Sequence, residues 1–121
     1  MKVSTKSIVI CDDDPGILEV IKIMLESRGL TVHTLSNGKG IIKKIEKLKP
    51  SVIFLDIWMP GTDGKEITKL LKRSPQTKDT PIIIISALND TRRIAKSIGA
   101  QGYLPKPFDM DKLFSTVDRF I

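Results

Sequence analysis

Cysteine is almost missing from this sequence. Cys11 stands alone, so the chain can form no internal disulfide, in agreement with a reducing compartment. Histidine is as scarce. The single His33 falls in a predicted strand, away from the carboxylate-rich segments, where a strand side chain is its simplest role. That counts against a zinc hydrolase and a serine-type triad, which need histidine at the reacting centre. Aromatic residues make up 5% of the chain, leaving little for stacking on bases. No apolar run approaches the length of a membrane span. The opening "MKVSTKSIVIC" is too short in its apolar part, and lacks the small-residue cleavage site, for a signal peptide. A cytoplasmic protein with no membrane partner is the simplest reading.

What is present suits one globular domain over residues 1–121, with no linker, low-complexity tract or internal repeat. Hydrophobic content is 40%, and the net charge is +6, from 20 Lys and Arg against 14 Asp and Glu. Much of the excess lies in "KGIIKKIEKLK" and "KEITKLLKR". Two solvated helix faces explain these runs more simply than a nucleic-acid patch, and the charge could help the protein meet an acidic partner. Nucleic acid is not expected as a partner of this domain alone, although a basic nucleic-acid binder stays open as a minor alternative.

Short apolar runs alternate with longer amphipathic ones. "SIVIC" predicts a first strand and "PGILEVIKIMLESRG" a helix, with Ile17, Ile21, Met24 and Leu25 at helical spacing and Gly29 as its stop. "TVHTL" is a second strand, followed by a helix through Ile41, Ile42, Ile45 and Leu48 that Pro50 closes. "VIFLD" is the third strand, with a helix through Ile67, Leu70 and Leu71. "PIIIIS" is the fourth, with a short helix carrying Ile94, Ala95 and Ile98. "GYLP" is a short fifth strand, and Leu113, Phe114, Val117 and Phe120 mark the last helix. Five such repeats predict an α/β fold, a doubly wound five-stranded parallel sheet covered on both faces. The more polar "TVHTL" and "GYLP" suit its edges. With right-handed crossovers this leaves strand order 2-1-3-4-5, as in flavodoxin-like sheets.

That order opens a crevice at the carboxyl ends of strands one and three. Strand one runs into "CDDDP" and strand three into Asp56, followed by the turn-rich "MPGTDG". Asp14 before Pro15 reads as a helix N-cap. Capping cannot account for Asp12 and Asp13 as well. Together with Asp56 they would converge without a cation, and like charges at that range are costly unless something positive binds. A magnesium ion suits an open site with a few carboxylates and several waters. Ser86 ends the fourth strand, where alone it would pass for a turn or N-cap residue. Lys106 stands between two prolines in "YLPKPF" at the same rim. A cation site, a carboxylate, a hydroxyl and an ammonium are parts for holding a phosphoryl group on Asp56.

From "IVICDDDP" through "FLDIWMPGTDG" and "IIIISA" to "YLPKPF", the chain resembles the receiver domain of two-component response regulators over essentially its whole length. Each motif alone is weak, but four in this order at these strand ends are highly specific. The bacterial chemotaxis regulator of that family is itself a standard example of the 2-1-3-4-5 order, so strand order and resemblance are one expectation and not two. The resemblance implies that Asp56 accepts phosphate from phosphohistidine on a sensor histidine kinase or histidine phosphotransfer protein. It implies magnesium held by Asp13, Asp56 and the backbone carbonyl of Trp58, with Asp12 acting through water. Lys106 would pair with Asp56 and then with a phosphoryl oxygen, and Ser86 would hydrogen-bond the phosphoryl group. Tyr103 would reposition with Ser86 as the switch. The Lys106–Pro107 peptide is expected cis, aiming the ammonium inward. Phosphorylation would shift the loop before the fourth helix, and the neighbouring face would signal to a downstream effector or output domain. Such a domain is not an enzyme acting on a separate substrate, although it assists its own phosphorylation and slow dephosphorylation.

Two positions depart from the commonest family pattern. Ser86 stands where threonine is more frequent, and Trp58 occupies a variable position that tunes loss of the phosphoryl group. No output domain follows Ile121, which suits either a single-domain regulator or a receiver cut from something longer. Two rivals share the topology or the chemistry. A flavin carrier needs a glycine- and hydroxyl-rich phosphate loop where this chain has the acidic "DDDP". An aspartyl phosphatase needs a second acid where Trp58 stands. Cys11, at the end of the first strand, reads as a small buried apolar residue and not as a redox sensor.

Overall fold

The computed structural model describes residues 6–59, 62–87 and 91–121. Part of the "MPGTDG" turn (60–61), the loop expected to shift before the fourth helix (88–90) and residues 1–5 lie outside the described residues.

The elements in chain order are β1 Ser7–Cys11, α1 Pro15–Glu26, β2 Thr31–Leu35, α2 Ile41–Leu48, β3 Val52–Asp56, β4 Trp58–Met59, β5 Thr62–Asp63, α3 Gly64–Arg73, β6 Ile82–Ser86, α4 Thr91–Ser97, β7 Gly102–Pro105 and α5 Met110–Phe120. β1, β3 and β6 are runs of β-branched and aliphatic residues, and β3 and β6 are buried throughout. Stiff branched side chains that pack on both faces favour this central, parallel setting. α1, α3 and α5 start where short acidic side chains accept from free N–H groups. Asp14 accepts from Gly16 and Ile17, Asp63 from Lys65, and Asp109 from Lys112. α1 ends three residues before Gly29, which turns the chain at φ 83° into β2.

The five main strands form one parallel sheet in the order β2-β1-β3-β6-β7, the predicted 2-1-3-4-5 when those strands are counted alone. The small antiparallel ribbon of β4 and β5 was not foreseen; Trp58 pairs with Asp63 there, and Met59 with Thr62. A turn-rich sequence masked it. Side chains alternate across the sheet into two cores. Ile8, Ile10, Phe54, Ile83 and Ile85 pack with α1 and α5 residues such as Ile21 and Leu113. Val9, Ile53, Leu55 and Ile84 pack with α2, α3 and α4 residues such as Ile45, Leu71 and Ala95. Each fully buried leucine, isoleucine or phenylalanine stabilises the fold by about 1.5–3 kcal/mol.

Register then positions the chemistry. Cys11 is level with Leu55, Asp56 with Ile85, and Ser86 with Pro105. The residues that end or follow these strands (Asp12, Asp56, Ser86 and Lys106) therefore share one edge of the sheet. Among the described residues, no helix is long and apolar enough to cross a membrane.

Candidate functional site

Asp12 leaves β1 with its N–H donated to the Leu35 carbonyl at 3.0 Å, which pins it at the sheet edge. The residue is fully buried. Its Oδ1 accepts from the Asp14 N–H at 3.0 Å, while Oδ2 has no hydrogen-bond donor. The Lys106 ammonium sits 2.7 Å from that Oδ2. That ammonium is the ionic partner of this oxygen. Asp56 ends β3 and is 4% exposed. Its Oδ1 accepts from the Trp58 N–H at 2.9 Å, and its Oδ2 accepts from Lys106 Nζ at 2.9 Å.

Asp13 is exposed at the mouth of the crevice. Asp12, Asp13 and Asp56 each present a carboxylate oxygen, all within 4.8 Å of one another. An all-oxygen donor set of this kind, one member of it buried and without a hydrogen-bond donor, fits a hard divalent ion such as magnesium.

Burial raises the Asp56 pKa above its ordinary value; Lys106 and the Trp58 N–H offset part of that rise. Burial works against the Lys106 ammonium, yet Asp12 and Asp56 together hold its pKa above the usual lysine value. Cys11 is pushed up to about 12 by burial, with Asp12 adding to the effect, so it stays a neutral thiol.

Ser86 lies fully buried at the neighbouring strand end. Its carbonyl accepts from the Lys106 N–H at 2.8 Å and from the Thr91 hydroxyl at 3.4 Å. The Lys106–Pro107 peptide is cis, as the resemblance implied. Tyr103 on β7 is 40% exposed and the Trp58 side chain faces solvent. The fold thus gathers Asp12, Asp13, Asp56 and Lys106 into one cluster. It sets Ser86 beside them through the Lys106 backbone, and leaves the Tyr103 and Trp58 side chains on the surface.

Three features escaped the sequence reading. Lys106 reaches Asp12 as well as Asp56. The Trp58 N–H donates directly to the Asp56 carboxylate. Gly64 packs against the backbone that carries Asp56: a Cβ there would lie 2.7 Å from Ile57 Cα and 3.1 Å from the Asp56 carbonyl oxygen. Any side chain would push that segment aside. The "DG" pair that opens α3 was the available signal, read then as a turn.

Residues 8–118 match the response regulator receiver domain family. The chain is 34% identical over 113 residues to the DNA-binding dual master transcriptional regulator RpaA of Synechocystis sp., covering 91% of this chain and 46% of that protein. It is also 34% identical over 113 residues to Protein PilH of Pseudomonas aeruginosa, covering 92% of this chain and 93% of that one. The chain spans about half or less of the length of the first curated relatives it matches. Among solved structures it is similar to response regulator TrrA of Thermotoga maritima in complex with Mg(2+)-BeF. That match has a TM-score of 0.85 and 32% identity, and covers 97% of this chain and all of that one.

Proposed function

The chain belongs to the response regulator receiver family, and on that premise we propose that Asp56 is the residue that accepts a phosphoryl group, in a magnesium-dependent reaction. The observation that carries this reading is the setting of Asp56. It is a buried carboxylate at the end of a central strand, with two further carboxylates alongside and an ammonium 2.9 Å away. The donor is phosphohistidine on a sensor histidine kinase or histidine phosphotransfer protein. An apolar hollow of about 680 Å³ beside Lys106, lined by Ile17, Val20, Ile21, Phe108 and Met110, gives such a partner a place to dock.

Asp12, Asp13 and Asp56, with the Trp58 carbonyl, would hold the magnesium. When bound, it supplies positive charge for the phosphoryl oxygens. An Asp56 carboxylate oxygen attacks phosphorus, the P–N bond breaks, and the imidazole leaves with the electron pair. The Trp58 N–H orients the carboxylate before attack. Lys106 gives up its contact with Asp56 Oδ2 and moves its charge to the incoming phosphoryl group. Ser86 donates to the same group, and its adjustment with Tyr103 passes the change to the face of α4, β7 and α5. A downstream effector or output domain reads that face. The unit is a single domain over residues 1–121, working in the cytoplasm as a phosphoacceptor that promotes its own phosphorylation and slow dephosphorylation.

The test is intact-mass measurement after incubation with a small acyl phosphate and magnesium. Wild type gains one labile phosphoryl group, and Asp56→Asn gains none. A gain by Asp56→Asn at the wild-type rate would overturn the acceptor assignment. A metal-independent gain by wild type would remove the role given to Asp12 and Asp13.

A further inference from the structure

The far edge of the sheet, away from the acidic crevice, has a distinct chemistry. Among the described residues, β2 is an edge strand that pairs only with β1. In a parallel pair, the peptide groups of alternate residues point to the same side. The Thr31 N–H donates to Lys6 and the Leu35 carbonyl accepts from Asp12, so Thr31, His33 and Leu35 face β1. The peptide groups of Val32 and Thr34 therefore point outward. They lie in a groove of about 410 Å³ between α1 and α2, whose rim carries Lys22, Lys44 and Lys47. All three lysines are exposed, and none joins a salt bridge among the described residues. No carboxylate lines the groove. Of the acids on the flanking helices, Glu46 accepts from Ser74 Oγ at 2.8 Å, and Glu19 lines an adjoining hollow that shares Lys22 and Thr34 with the groove.

We propose that this edge binds an acidic, extended segment of another protein, which adds a strand to β2 while its carboxylates meet Lys22, Lys44 and Lys47. Strand addition takes its affinity from main-chain hydrogen bonds, and here Val32 and Thr34 offer both donors and acceptors. The lysines select the partner. Pairing with a second copy would bring the same cations face to face, the usual defence of an edge strand against self-association. An acidic strand meets the opposite condition. This site is separate from the phosphoacceptor crevice and does not depend on that reading.

The experiment uses the full chain and a fluorescein-labelled peptide of about eight residues, alternating glutamate with valine. Binding is followed by anisotropy and by amide chemical shifts. Saturable binding that shifts the Val32 and Thr34 amides and weakens with salt is the expected result. Lys44→Glu combined with Lys47→Glu should weaken it roughly tenfold or more. Thr34→Pro removes one outward N–H without touching the β1 pairing, and should weaken binding while circular dichroism stays unchanged. The same peptide with lysine for glutamate should not bind. Absence of saturable binding overturns the proposal. So does binding that Thr34→Pro leaves intact, since that would be charge attraction alone. A single-stranded oligonucleotide that binds more tightly than the peptide, with shifts at the same lysines, would also overturn it. A concentration-dependent dimer lost on Lys44→Glu would place a second copy in the groove and sink it as well.

Discussion

Two groups of paired charges in this molecule look alike on paper and differ in nearly every physical respect. On the outer surface, Arg28 Nη2 lies 3.1 Å from Asp118 Oδ1, with side chains 38% and 61% exposed. In the crevice, Lys106 Nζ lies 2.7 Å from Asp12 and 2.9 Å from Asp56, with side chains 20%, 0% and 6% exposed. Water already solvates the surface pair, and the guanidinium also lies 4.7 Å above the Phe114 ring. The crevice cluster has given up most of its water, so each charge there depends on the others. Taking the shared ammonium away leaves two buried carboxylates uncompensated. The lesson is that the protein keeps its electrostatic leverage in one place, where a change of charge has large consequences.

Removing the shared cation should have the largest effect. Lys106→Met leaves two buried carboxylates facing each other, and should lower unfolding free energy at neutral pH by about 3 kcal/mol. Urea titration measures this directly, and added magnesium should restore part of the loss by binding the folded state. The wild-type contribution of Lys106 is present in full below its ordinary pKa of 10.5. It is lost as pH rises through the raised folded value. A loss below about 1 kcal/mol would place the crevice cluster in the same class as the surface pair.

Asp56→Asn should act in the opposite direction. The Asp56 pKa is raised above 3.8 in the folded protein, so the folded state holds this proton more tightly than the unfolded chain does. Stability therefore falls as pH rises from about that value through the folded pKa, and the full cost is present above the folded pKa. Asparagine removes it, while Lys106 keeps Asp12 as a partner. The variant should be more stable at pH 7 in the absence of magnesium. The gain should vanish in acid. Equal stability at pH 7 would mean that Lys106 and the Trp58 N–H fully offset the burial.

The smallest effect belongs to the surface pair. A double-mutant cycle of Arg28→Ala and Asp118→Ala should give a coupling below about 0.5 kcal/mol, fading as salt is added. Arg28→Ala alone should cost more than Asp118→Ala, because it also uncovers Phe114. Urea midpoints of the four proteins test this. A salt-insensitive coupling above about 1 kcal/mol would contradict the contrast drawn between the two regions.

Much of this arrangement was legible in the residues. Hydrophobic pattern set the five main strands, and "SIVIC", "TVHTL", "VIFLD" and "GYLP" are the observed β1, β2, β3 and β7. "DDDP" separated cleanly into Asp14, which caps α1, and two acids left over. Less legible were features that depend on where backbone meets backbone. The β4–β5 ribbon rests on one pair of two-residue strands with no periodicity of their own. The left-handed φ of 49° at Lys49 before Pro50 gives no warning in residue type. Gly64 read as one more turn glycine, because its constraint comes from Ile57, whose approach is set by the docking of α3.

The sequence by itself determined which residues could be strands, which could cap helices, and that more acids sat at the strand ends than local structure could use. Those properties belong to short stretches of chain, governed by side-chain shape and hydrogen-bonding range. Only the tertiary structure decided that one ammonium, 50 residues from Asp56 along the chain, lies against both Asp12 and Asp56. It also decided that Asp12 is wholly buried while Asp13 beside it is exposed. Adjacent residues after a strand point to different sides, and which side is covered depends on the strands and loops packed around them. Burial sets the strength of every charge in the crevice, and burial is a property of the whole fold.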